Sequence, residues 1–241
     1  MHLYAITGGS MSIDSKDIEA IAKYWDEKSQ YFDEEHNTED LSLWSQELMK
    51  LLKEDNGDVK KILDIGTGTG FLALLLAGNG YDVTGVDISK EMMELGKKKA
   101  VDCGCNIDFK YSLCEDMPFG DNEFDAVVNA RVIWTLTDPV KALNEWKRVV
   151  CPGGKVISFM RVMKTDGSSY YTKEDGEIIL PLSNATREDY VKVYEDAGYE
   201  NIEVIELPEE MSHADYPHWT AFVGVVPPVS YTHLDVYKRQ I

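Results

Sequence analysis

Apolar residues recur along this chain in short continuous runs separated by longer amphipathic stretches, and the two patterns alternate. Ile62-Leu63-Asp64-Ile65, Val83-Thr84-Gly85-Val86 and Ala126-Val127-Val128 are runs of strand length, apolar enough to be covered on both faces. Helical spacing predicts helices near 14–32 and 39–54, then strand 60–65, helix 70–78, strand 82–87, helix 89–102 and strands 106–111 and 124–129. Helix 138–149, strand 154–161, a helix from Thr186 to Ala197-Gly198 and strands 201–206 and 219–226 complete the set. Ser89 is placed to cap one helix, and Thr186-Arg187-Glu188-Asp189 opens another with acids in its first turn. Strand and helix in alternation predict an α/β fold, a mostly parallel sheet with helices on both faces.

The junction of the first strand and the helix after it holds the most chemistry. Asp64-Ile65-Gly66-Thr67-Gly68-Thr69-Gly70 packs three glycines at alternate positions, which lets backbone approach a ligand where a Cβ would collide. The helix that follows aims its first amides at whatever rests on that turn. Asp87 closes the next strand about 20 residues on, where an acid can hold the hydroxyls of a ribose. A nucleoside site is implied. A dinucleotide fingerprint places a third glycine three residues after the second. That position is Phe71, and Asp64 adds a carboxylate that would repel a pyrophosphate.

Asp64, Gly66, Gly68, Gly70 and Asp87 in this order resemble the first motifs of class I S-adenosylmethionine-dependent methyltransferases. The resemblance implies a Rossmann-like, doubly wound, mostly parallel seven-stranded sheet whose last strand runs antiparallel, with S-adenosylmethionine as cofactor. It implies that Asp64 faces the methionine amino group, that the turn from Gly66 through Thr67 and Gly68 to Gly70 underlies the sugar and methionine portion, and that Asp87, with Ile88 beside it, takes the ribose. Cys114-Glu115-Asp116-Met117-Pro118 is similar to the family's adenine loop. The acid that members often carry two residues before Glu115 is Leu113 here, which leaves backbone amides near Cys114 and Glu115 to read the base. Asn129, at the end of the fourth strand, is implied as a cofactor contact, and Arg131 and Trp134, in the turn above the transferred methyl, as substrate contacts. Val149-Val150-Cys151-Pro152-Gly153-Gly154 matches the helix end and turn before the fifth strand.

Charge narrows the partners. Lys and Arg number 24 against 43 Asp and Glu, a net charge of −19, which repels nucleic-acid phosphate and anionic lipid. The Asn/Asp-Pro-Pro-aromatic turn of base amino-methylation is replaced by Asn129-Ala130-Arg131. No apolar run reaches the ~18 residues of a membrane span, and no signal-peptide pattern opens the chain. Four cysteines, Cys103, Cys105, Cys114 and Cys151, fall on different elements and suit the cytoplasm. Cys103-Gly104-Cys105 has no second ligand pair at metal spacing, so no metal is expected.

Residues 229–240 can be encoded by a DNA inverted repeat resembling the transposase mosaic end used in sequencing libraries, and 229–241 are read as a non-native tail. Gly8-Gly9-Ser10 before Met11 resembles a translated ribosome-binding site, so 1–10 are read as an extension or upstream translation. A single domain is expected over 11–228, with a helical cap at about 11–56, a core at 57–228 and a lid insertion at about 163–185, where Tyr170-Tyr171 and Ile178 to Leu182 lie without an obvious element. Tyr24, Trp25, Tyr31 and Phe32 of the cap are placed to shield a sulfonium or to pack. His213, Asp215 and His218 are the candidate bases if the acceptor must lose a proton, and no catalytic residue is assigned. The expected function is methyl transfer to an O, N, S or C nucleophile of a small molecule. An NAD-type oxidoreductase and a non-catalytic cofactor-binding protein are the alternatives.

Overall fold

A computed structural model describes residues 15–35, 39–53, 59–162, 172–173, 176–178, 180–212 and 217–228. The extension at 1–10, the tail at 229–241, His213, Asp215 and Tyr170-Tyr171 lie outside the described residues.

Five strands, β1 (Lys61–Ile65), β2 (Asp82–Asp87), β3 (Ile107–Tyr111), β4 (Phe124–Ala130) and β5 (Val150–Arg161), run parallel. A two-stranded hairpin, β6 (Thr172–Lys173) and β7 (Gly176–Glu177), stands apart, and β8 (Glu200–Glu206) and β9 (Trp219–Val225) complete a seven-stranded sheet. Its order is β3-β2-β1-β4-β5-β9-β8, with β9 antiparallel to both neighbours. The expected topology is therefore present, and the sequence runs were continuous because both faces are buried. Along β1, Ile62 belongs to the core on one face, with Trp44, Leu48 and Leu72, while Leu63 and Ile65 belong to the core on the other, with Leu143, Trp146 and Tyr194.

Helices α2 (Leu41–Leu52) and α3 (Phe71–Gly78) contribute to the first face, and α5 (Pro139–Val149) and α6 (Arg187–Asp196) to the second. α4 (Lys90–Cys103) leans on β2 and β3, and α1 (Ser15–Glu35) lies against α4. The helix ends follow local chemistry. Ser89 Oγ accepts from Met92 N at 3.2 Å, and Thr186 and Asp189 form a reciprocal capping box.

The largest boundary difference is in the fifth strand. β5 begins at Val150 rather than 154, because the Pro152-Gly153-Gly154 segment is carried as an irregularity between the pairings Phe124 with Val150 and Ala126 with Lys155. A bulge absorbs the residues that the sequence suggests as a turn.

Candidate functional site

All five parallel strands end on one side of the sheet, and the segments leaving β1, β2, β3 and β4 converge there, where open α/β folds place their ligands. The turn from β1 to α3 holds Gly66, Gly68 and Gly70 at φ of +61°, +54° and +87°. At Gly66 the tolerance is narrow as well as conformational, since a Cβ there would lie 2.3 Å from Val132 Cγ2. Asp87 fixes the turn from the neighbouring strand. Its Oδ2 accepts from Gly68 N at 2.7 Å and its Oδ1 from Ser89 N at 2.8 Å. Burial pushes its carboxyl up to about 6, against the pull of those two N–H donors.

Asp64 is placed behind the turn rather than in front of it. Its Oδ2 accepts from Thr67 Oγ1 (2.7 Å) and Ala73 N (3.1 Å), so the carboxylate clamps the glycine turn to the first turn of α3. Burial raises its pKa to about 7.

A cavity of about 410 Å³, within the roughly 300–1,000 Å³ of small-molecule sites, opens above the turn. Its floor is Gly66, Gly68, Asp87 and Ile88, one wall is Ser112, Leu113, Cys114 and Glu115, and Tyr24, Trp25 and Phe32 of α1 cover it. Arg131, Trp134, Met160, Arg161, Tyr190 and Trp219 form the far end. The wall is desolvated: burial pushes the Glu115 carboxyl up and holds the Cys114 thiol well above its ordinary range, its Sγ lying 3.2 Å from Glu115 Oε2.

α1 is tied down at two points. Asp26 accepts from Ser89 Oγ (2.6 Å) and Glu91 N (3.2 Å), and Asp33 accepts from Thr69 Oγ1 (2.7 Å) and Lys99 Nζ (2.6 Å). Within the helix Trp25 stands edge-on to Tyr24 and Phe32, whereas Tyr31 is exposed and outside the cavity. The described part of the insertion joins the same cover. Ile178 and Leu180 pack with Ile21, Tyr24, Trp25 and Trp134, and Leu182 reaches the cavity.

The structure thus gathers Gly66, Gly68, Asp87, Ile88, Cys114, Glu115, Arg131 and Trp134 around one space and leaves four expected residues off its surface. Asp64 and Thr67 are bound to each other beneath it. Gly70 sits at the start of α3, where its φ of +87° favours glycine although a Cβ there would make only ordinary contacts. Asn129 is turned into the core: its Nδ2 donates to Ser158 Oγ at 2.8 Å, and that oxygen shares a 2.7 Å hydrogen bond with the Tyr194 hydroxyl. Of the candidate bases, His218 is exposed and away from the cavity.

Two residues that the sequence reading did not single out complete the far end. Glu39, just before α2, places Oε1 2.5 Å from Arg131 Nη2 and 3.6 Å from Arg161 Nη2, while its Oε2 accepts from Trp44 Nε1 at 2.6 Å. Both guanidiniums stack on Trp219, at 4.6 and 4.5 Å from the ring centre, and Arg131 also lies 5.8 Å from Phe71, the residue standing where a dinucleotide fingerprint needs glycine. Desolvation brings Arg131 down to about 10, opposed by Glu39, so it stays a cation at neutral pH. Arg161 had a readable signal: like Asp87, it is a charged residue closing an apolar strand.

A family model described as a methyltransferase domain matches residues 63–158, from within β1 to within β5. The ubiquinone/menaquinone biosynthesis C-methyltransferase UbiE of Geotalea daltonii is 41% identical over 102 residues, covering 40% of this chain and 43% of that protein. The corresponding enzyme of Rickettsia felis is 35% identical over 153 residues, covering 59% and 60%. The chain therefore spans about half the length of these curated relatives. A solved S-adenosylmethionine-dependent methyltransferase from Methanosarcina mazei superimposes with a TM-score of 0.58 at 23% identity, over 75% of this chain and 97% of that one, which shows the shared fold. A glycine turn pinned by the acid of the next strand lies within the matched region, and over that region the chain is similar to methyltransferase domains.

Proposed function

We propose that this chain moves the methyl group of S-adenosylmethionine to a nucleophilic O, N, S or C atom of a small molecule and releases S-adenosylhomocysteine. The observation that carries the reading is a single cavity with the Asp87 carboxylate over a side-chain-free turn at one end and an aromatic and guanidinium surface at the other, both under α1. The residues suit the cofactor. Asp87 uses one lone pair of each oxygen on backbone N–H groups and keeps others for ribose hydroxyls. Trp25, Tyr24 and Phe32 offer ring faces to a sulfonium, and Leu113 to Glu115 wall the place proposed for adenine.

S-adenosylmethionine supplies an activated methyl, so this chain has to orient an acceptor in line with it and exclude water. The α1 cover and the Trp134, Met160 and Tyr190 surface serve both needs. The matched relatives are named C-methyltransferases, which makes a carbon acceptor the first to test. An acidic surface disfavours nucleic acid, and among the described residues no helix is long and apolar enough to cross a membrane. Four free cysteines fit a cytoplasmic setting. The domain is taken as 11–228 with 163–185 as its lid and 229–241 as non-native.

Calorimetry separates the alternatives. Binding of S-adenosylhomocysteine without binding of NAD excludes an oxidoreductase, and transfer of labelled methyl to any acceptor excludes a purely binding protein. Asp87→Ala is expected to weaken S-adenosylhomocysteine by about 1–3 kcal/mol, the worth of charge-assisted hydrogen bonds, and unchanged affinity removes Asp87 from the ribose.

The pH dependence follows from the Asp87 shift from 3.8 to about 6. Below pH 6 the free carboxyl holds a proton that the ribose contact must displace, so affinity should be roughly tenfold weaker at pH 5 than at 7.5. Stability of the free protein moves the other way. Between the ordinary carboxylate range and the raised values of Asp64 and Asp87, the unfolded chain binds fewer protons than the native one, so these two groups lower stability as pH rises toward 7. An S-adenosylhomocysteine titration at several pH values that stayed flat from 7.5 to 5 would contradict this.

A further inference from the structure

We infer that Arg131 and Arg161 receive a carboxylate on the acceptor, and that the acceptor is a flat, largely apolar acid; this rests on the methyltransferase reading above. Arg131 directly follows β4 and Arg161 ends the adjacent β5, and both line the same cavity and lie over one indole. Contact with the indole and with Glu39 restricts both guanidiniums before a ligand arrives, and a planar fork matches the two oxygens of a carboxylate. Glu39 makes the pair tolerable in a buried place without saturating it: Arg131 has five N–H donors and gives one hydrogen bond to Glu39.

A second observation points the same way. The indole N–H of Trp219, fully buried beneath the pair, has no hydrogen-bond partner among the described residues. An acceptor oxygen reaching the edge of that ring would satisfy a buried donor, and a buried donor without a partner is costly.

Charge is also sorted along the cavity. Asp87 and Glu115 lie at the end proposed for the cofactor, and the guanidiniums lie at the other, beside Trp134, Met160, Tyr190 and Leu182. A flat apolar body against those four with its acid on the arginines uses every chemical feature of that end. Two guanidiniums share the one carboxylate of Glu39, which leaves a net positive charge at that end for an acid to meet.

The test uses the whole chain saturated with S-adenosylhomocysteine, titrated calorimetrically with benzoate and 1-naphthoate and with the matching neutral amides. Each acid is expected to bind at least about tenfold more tightly than its amide, as charge-assisted pairing predicts. Arg131→Gln and Arg161→Gln should each erase most of that preference and leave S-adenosylhomocysteine affinity unchanged. Arg→Lys at either position should restore part of it, because the charge returns without the fork. Equal binding of acid and amide by the unsubstituted protein overturns the inference whether or not the variants fold. A loss of S-adenosylhomocysteine affinity in the Gln variants also overturns it, by assigning the pair to the cofactor's own carboxylate. Failure of the unsubstituted protein to bind S-adenosylhomocysteine at all would instead remove the methyltransferase reading.

Discussion

Trp44→Ala is expected to lower stability by about 3–5 kcal/mol, the range for emptying a large buried aromatic site. Trp44 is fully buried, stands edge-on to Phe71, Phe159 and Trp219 at ring distances of 5.1, 5.3 and 4.9 Å, and joins α2 to three other elements of the molecule. It is also the hydrogen-bond donor that fixes Glu39. The truncation therefore leaves a void and frees a buried carboxylate from one of its partners. Urea denaturation measures the total, and Trp44→Phe divides it. Phe retains most of the packing and lacks the N–H, so it should cost about 1–3 kcal/mol. A truncation cost below 1 kcal/mol would show that the cap and sheet are not joined through this ring.

Gly66→Ala should come next in stability and first in its effect on binding. The substitution meets two obstacles: a φ of +61°, which L side chains rarely adopt, and Val132 Cγ2 at 2.3 Å from the new Cβ. Val132 is β-branched and stiff, so it cannot swing aside as a lysine end would. Overpacking of about 1–3 kcal/mol plus backbone strain gives a loss of roughly 2–4 kcal/mol. Because the strained turn also carries the Gly68 N–H bound by Asp87, S-adenosylhomocysteine affinity should fall by at least about a hundredfold, equal to roughly 2.7 kcal/mol. The double variant Gly66→Ala, Val132→Ala separates the obstacles. It should recover the overpacking part of the stability and little of the affinity, and full recovery of both would mean that the turn needs only space.

How much of this was legible depended on how local each feature is. The glycine turn and its acids lie within one strand-turn-helix segment, and Asp87 is one strand later, so short spacing exposed them. The β5 boundary was obscured because Pro152-Gly153-Gly154 is turn chemistry wherever it occurs, and only the partner strand shows that a bulge holds it in the ladder. Asn129 looked like a site residue because it precedes Arg131 at a strand end. Alternation along β4 puts Asn129 on the face of Val127, toward Ser158 and Tyr194, and the φ of +64° at Arg131 then breaks that alternation and sends the next side chain to the cavity. Positive φ at an arginine carries no sequence signature. Asp64 misled for a related reason: a carboxylate beside a glycine turn can face the ligand or the helix start, and two N–H or O–H donors on the inner side decided it. The Glu39 contact with Arg131 joins residues 92 positions apart through loops, where no periodicity can speak.

The placement of β9 between β5 and β8 bears on how a nascent chain acquires its activity. β9 is the sole sheet neighbour of β8 and follows it in the chain, so the edge strand can join the sheet, about 10 Å or two interstrand spacings from β5, only after β9 has been made. That strand brings Trp219, the platform for both guanidiniums, so the pocket is finished by the last piece of sheet to be translated, and a ribosome-stalled chain would hold the glycine turn long before it could present an acceptor surface.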